Sequence, residues 1–163
     1  MASFDADTIE LKGLDQLVRA LRKAPPQARI GILGSSPRSS HSNENPTNAS
    51  VGAIHEFGDP TRGVPQRSFL RTPVTENLNK ELENSGLIGE DELKAVIKSG
   101  TMLPWMRQVA AAAEGVVDDA FETSGGGKWA PWRDPNYTNQ GGMVLVDTGQ
   151  LRRSITTEVK GGD

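Results

Sequence analysis

A chain of 163 residues with a formal charge of −3 and no cysteine has no disulfide framework, no thiolate metal site and no thiol nucleophile. The negative balance argues against a duplex-binding module, which carries a basic excess to displace counterions. A hydrophobic fraction of 35% with 18 glycines and 10 prolines predicts one domain over residues 1–163. It also predicts long irregular segments and a fold that leans on neighbouring subunits for part of its burial.

Residues 1–7 are acidic and lack an apolar h-region, and no apolar run reaches bilayer length. A soluble product without membrane contact, remaining where it is made, is expected. Residues 8–12 alternate polar and apolar and predict a short strand. Leu14, Leu17, Val18 and Leu21 then fall on one helical stripe that stops before Pro25 and Pro26. Residues 29–33 predict a second strand, weakened by Gly31. Residues 34–50 are almost wholly polar, Gly or Pro, with too little apolar surface to offset ordering entropy, so a mobile loop is expected there. A turn or two of helix is expected over residues 50–57.

Thr72 before Pro73 predicts a helix cap with proline at the first helical position, followed by an apolar face of Val74, Leu78 and Leu82. A shorter helix over residues 90–98 lies between Gly89 and Gly100. The strongest periodicity runs from Met102 and Trp105 through Val109, Ala113, Val116 and Val117 to Phe121 and predicts about five helical turns. It ends at Ser124-Gly125-Gly126-Gly127, and a Gly- and Trp-rich loop over residues 123–144 follows. Asp147 and Gln150 are spaced as a capping-box variant opening a short helix over residues 148–154. The β-branched stretch 155–159 predicts a closing strand. The fold class is α+β: a small mixed or antiparallel sheet on one long helix, with shorter helices and two long loops.

His55-Glu56 invites comparison with the zinc protease helix, whose second histidine lies four residues on. Here that position is Asp59, beyond Gly58 and before Pro60, so no helix presents a second ligand. A polar residue at a helix end making one or two hydrogen bonds is the simpler reading of His55. Asp147-Thr148-Gly149 matches an aspartic-protease triplet but has no second copy in the chain, and helix capping accounts for Asp147. No catalytic residue, metal or cofactor is therefore expected. Arg62, Arg67 and Arg71 form one basic cluster and Arg152 with Arg153 a second, suited to carboxylates of a neighbouring subunit. Trp105 belongs to the core, while Trp129 and Trp132 are loop or interface anchors. A nucleic-acid-binding accessory protein, or a metal-dependent hydrolase using His55 and Glu56, is the alternative class.

Two landmarks resemble a known family. Ala53-Ile54-His55-Glu56-Phe57-Gly58, followed by Val64-Pro65-Gln66-Arg67-Ser68-Phe69-Leu70-Arg71, is similar to the "EFG" and "IPxRxFL" pieces of virion-morphogenesis (tail-completion or neck) proteins of long-tailed phages. Trp129-Ala130-Pro131 through Asp147-Thr148-Gly149-Gln150-Leu151-Arg152-Arg153-Ser154-Ile155 resembles their Trp-x-Pro loop ending in "DTGxLRxSI". Many branches carry the two landmarks in the opposite order, so no strand order is transferred.

The resemblance implies a structural protein of the virion, made in the host cytoplasm and placed at the neck or tail end. It implies a homo-oligomeric ring, sixfold like phage tails, contacting the head–tail connector and the tail-terminator or tail-tube proteins. Genomic double-stranded DNA would pass through without specific binding. His55, Glu56, Phe57, Arg62, Arg67, Phe69, Arg71, Trp129, Trp132, Thr148, Leu151, Arg152 and Arg153 are then the assembly residues. Phe69 anchors a helix start in the core, and Arg67 and Arg71 point outward to a neighbour.

Overall fold

Leu14, Leu17, Val18 and Leu21 sit on a longer helix than their spacing alone predicts: α1 spans Asp5–Lys23. The structure, a computed structural model, describes residues 5–33, 47–131, 144–146 and 149–161, with side chains from residue 11 onward. The strand expected over residues 8–12 is instead part of α1. Five alternating residues fit either period, and a helix already running through Leu21 extends more cheaply than a new strand nucleates. The last turn carries Arg22 and Lys23, favourable at the negative end of the helix dipole.

β1 (Gln27–Gly31) follows, then α2 (Asn48–Phe57), a 3-10 turn (Pro60–Arg62), α3 (Arg71–Asn84), α4 (Glu90–Ser99), α5 (Leu103–Glu122), α6 (Gln150–Arg153) and β2 (Thr156–Lys160). β1 and β2 pair as a two-stranded antiparallel sheet, and the fold is α+β with α5 as its long helix. Thr47 caps α2, its hydroxyl accepting from Ser50 N at 3.2 Å, so this helix starts earlier than residue 50. The loop expected at 34–50 otherwise lies outside the described residues over 34–46.

The chain packs as two compact units. Unit 1 comprises Met1–Arg29, Asn79–Ala112 and Glu158–Asp163, and unit 2 comprises Ile30–Leu78 and Ala113–Thr157. In unit 1, α1 packs on α4 with Leu17, Leu82, Leu87 and Val96 buried. Gly13 makes the close approach possible, since a Cβ there would collide with the carbonyl oxygen of Ile97. Trp105 sits half-buried in this unit and donates its indole N–H to the Leu87 carbonyl at 2.8 Å.

In unit 2 the core is Phe69, Val117, Phe121, Leu145, Leu151 and Ile155, with Ile30, Ile32, Val74 and Trp129 packed around it. Phe121 is fully enclosed, and burial of a side chain of that size contributes roughly 2 to 3 kcal/mol. Its ring meets Phe69 at 5.4 Å and Trp129 edge-on at 5.8 Å. Gly52 lets α2 approach this cluster, because a Cβ would press on Ile32 at 2.8 Å. Beyond the end of α5 the chain turns through positive φ at Ser124 (51°) and Gly125 (67°), and Gly125 faces the Trp129 indole so closely that no side chain fits there.

Candidate assembly site

The sequence between α2 and α3 folds into one hydrogen-bonded knuckle built around Glu56. Glu56 lies in the last turn of α2 and is buried, with 6% exposure. Its Oε1 accepts from the Ser68 hydroxyl at 2.6 Å and from Arg71 N at 3.2 Å. Its Oε2 accepts from Phe69 N and Leu70 N, both at 3.0 Å. These N–H groups precede or open α3, where a helix has no backbone acceptors of its own. A negative group there also meets the positive end of the helix dipole.

Ser68 extends the arrangement by accepting from Thr72 N at 3.0 Å. The helix start therefore differs from the expected one. α3 begins at Arg71, not after Thr72, and its cap comes from Glu56 across the knuckle and from Ser68. Two further bonds tie the approach to α2: Arg67 N donates to the His55 carbonyl at 2.7 Å, and the Gln66 side-chain amide donates to the Glu56 carbonyl at 3.1 Å. Between them Asp59 accepts from Thr61 N and Arg62 N, closes the 3-10 turn and pairs with Val64. The Thr61 hydroxyl bond to Asp59, followed by its backbone and Arg62 contacts, holds that carboxyl below its ordinary range.

Arg67 is the largest departure from the sequence expectation. It is 3% exposed, with Nε donating to the Ala130 carbonyl and a terminal nitrogen to the Pro131 carbonyl, both at 2.8 Å. It therefore staples the Trp-x-Pro loop to the knuckle and does not point outward. The planar guanidinium presents its Nε–H and a terminal N–H in a fixed fork that suits two adjacent carbonyls. Burial lowers its pKa. Arg71 does stay exposed, lying over the Phe57 ring at 5.7 Å and 3.8 Å from Glu56 Oε1. Arg62 is exposed and pairs loosely with Asp59 at 3.5 Å.

Among the described residues the buried Nδ1 of His55 has no hydrogen-bond partner. Desolvation, and secondarily the Arg67 charge, push its pKa below the ordinary 6.5. The folded chain thus binds fewer protons at His55 than the unfolded chain over the interval just below that value. Its contribution to stability is complete above 6.5 and is lost as pH falls through the depressed folded pKa. Urea midpoints measured from pH 8 to pH 5 should fall less steeply in His55→Gln than in wild type. Parallel curves would show that His55 is not the titrating group.

The remaining predicted residues separate into core and surface. Phe69 and Leu151 are core, and Trp129 is a half-buried core anchor that packs on Phe121. Arg152 is engaged within the chain, bonded to Asp118 and Glu122 at 2.8 Å each. The Asp118 bond first and Glu122 second raise its pKa. Arg153 lies beside Gly149 and is exposed. Trp132, Thr148 and the expected cap Asp147 lie outside the described residues, while α6 opens after Gly149 at φ 69°. Ser68 and the two loop carbonyls have no place in the sequence reading. A serine three residues before a helix start is a legible signal, but nothing in residue type marks a backbone carbonyl as an arginine acceptor.

Among the described residues no group of three or more His, Asp or Glu could hold a metal, and no helix is long and apolar enough to cross a membrane. No family model, no curated protein and no solved structure matches this chain.

Proposed function

We propose that this chain is a structural subunit of a phage neck or tail end, assembling as a ring around the DNA exit channel. The observation that supports the reading is how the landmarks carrying the resemblance meet in space. The "EFG" and "PQRSFLR" pieces form one knuckle through Glu56, and Arg67 of that knuckle holds the Trp-x-Pro loop. Phe69 then shares a core with Leu151 and Ile155 of the "LRRSI" piece. Segments far apart in sequence thus act as one structural unit, as parts of one family signature would. The sixfold number and the neighbours (connector on one side, tail terminator or tube on the other) rest on the resemblance. A net charge of −3 suits a channel wall that does not retain passing phosphates.

No hydrolytic role is proposed. Glu56 is enclosed and both its oxygens are taken by four donors, so it has no free lone pair directed at a water to activate. The test is a stop codon early in the gene within its phage. Filled heads and separate tails should accumulate, and supplying the chain in trans should restore joined particles. Normal joined particles in the absence of the chain would sink the proposal.

A further inference from the structure

Unit 2 carries a shallow apolar concavity beside the knuckle, lined by Phe57, Pro60, Val64, Pro65 and Pro131. Phe57 stands 65% exposed at its edge, an uncommon position for a phenylalanine. Arg62 and Arg71 are exposed at its rim, each beside a far less exposed carboxylate, Asp59 at 3.5 Å and Glu56 at 3.8 Å, so the guanidinium groups are the charges turned to the surface.

Unit 1 carries the complement. Residues 81–93 hold five carboxylates, of which Glu90 pairs with Lys94 at 2.7 Å, and among the described residues Asp91 and Glu92 form no salt bridge. Within them Ile88 and Leu93 are 50% and 58% exposed and flank the acidic first turn of α4, Glu90, Asp91 and Glu92. The projection is held firmly at its base, because Leu87 is buried and its carbonyl accepts from the Trp105 indole. Leu11, Leu14 and Val18 of α1 are also exposed, but they lie among Lys12, Asp15, Arg19 and Arg22 and offer no net negative charge to the arginine rim.

We infer that the Phe57 concavity of one copy receives the Ile88–Leu93 projection of a second copy of this chain. This inference rests on the ring reading and names the surfaces that would make it. Two different surfaces meet, so the contact is head-to-tail and repeats from copy to copy. Phe57, Ile88 and Leu93 supply apolar area, while Arg62 and Arg71 facing Glu90, Asp91 and Glu92 set orientation and exclude the reversed pairing.

The absence of native cysteine makes the test specific. Pro65→Cys and Ile88→Cys are purified separately, tagged to differ in mass, mixed and oxidised with diamide at about 0.1 to 1 mM, where weak self-contacts are populated. The mixed disulfide dimer should exceed either homodimer at least about tenfold, and the double variant should build a ladder of covalent oligomers. The triple variant Glu90→Lys, Asp91→Lys, Glu92→Lys should cut the mixed dimer at least about tenfold. Arg62→Cys serves as a second concavity position if Pro65→Cys alters the circular dichroism. Homodimers as abundant as the mixed dimer, or no disulfide, would overturn the inference. Sedimentation of wild type distinguishes the two failures: self-assembly without the mixed disulfide removes only this contact, while no assembly at any concentration removes the self-assembled ring as well.

Discussion

Replacing Glu56 with alanine is expected to destabilise the chain by about 3 to 5 kcal/mol, one of the two largest effects of any single substitution in the knuckle. Four donors converge on this side chain: the Ser68 hydroxyl and the amides of Phe69, Leu70 and Arg71. Each buried donor left without an acceptor costs about 1 to 3 kcal/mol, less where water enters the space left behind. Losing the cap of α3 lies within the same total. Glu56→Gln is the sharper comparison. It preserves volume, yet turns an NH2 toward one pair of donors, and should cost about half as much. Denaturant unfolding of the three proteins gives the energies, and amide exchange at Phe69, Leu70 and Arg71 gives the location. A Glu56→Ala protein within about 1 kcal/mol of wild type would refute the clamp.

Arg67→Glu is expected to be comparably damaging, lowering stability by about 4 kcal/mol or more and the melting temperature by about 10 °C or more. The side chain is 3% exposed and its donors serve the Ala130 and Pro131 carbonyls. A carboxylate in that place would face two acceptors with nothing to donate and no water to solvate it. Arg67→Met, which removes the charge and keeps much of the apolar stem, should lose about 2 to 3 kcal/mol through the two orphaned carbonyls. The distinction matters for function. An outward arginine could be reversed without loss of fold, and any assembly defect would then report on a neighbour. For Arg67 an assembly defect would report only unfolding, so Arg62, at the exposed rim, is the residue to reverse when assembly is the question. Thermal melts of Arg67→Glu and Arg62→Glu side by side decide the matter; equal melting temperatures would return Arg67 to the surface.

Local pattern alone determined most of the helices. α5 was legible because its apolar residues hold one period over 20 residues, and α4 because glycine bounds it on both sides. The strands at β1 and β2 were legible within about two residues from β-branched content and their flanking breakers. The α+β class followed from these elements. The segment over residues 8–12 was misread because five residues cannot separate a period of 2 from one of 3.6 when apolar residues also continue beyond them.

What only tertiary structure decided is which side chain serves which backbone. Thr72 and Pro73 carry the right chemistry for a helix start, but an acceptor 15 positions upstream, Glu56, reaches the Arg71 amide. Arg67 has the composition of a surface residue, yet two carbonyls more than 60 positions away draw it inside. Residue type and spacing encode propensities along the chain. A buried hydrogen bond depends on which groups the fold brings within about 3 Å of each other, and that proximity is set by packing around Phe69, Phe121 and Leu151. The Glu56 clamp and the inward turn of Arg67 therefore became visible only once the core was in place.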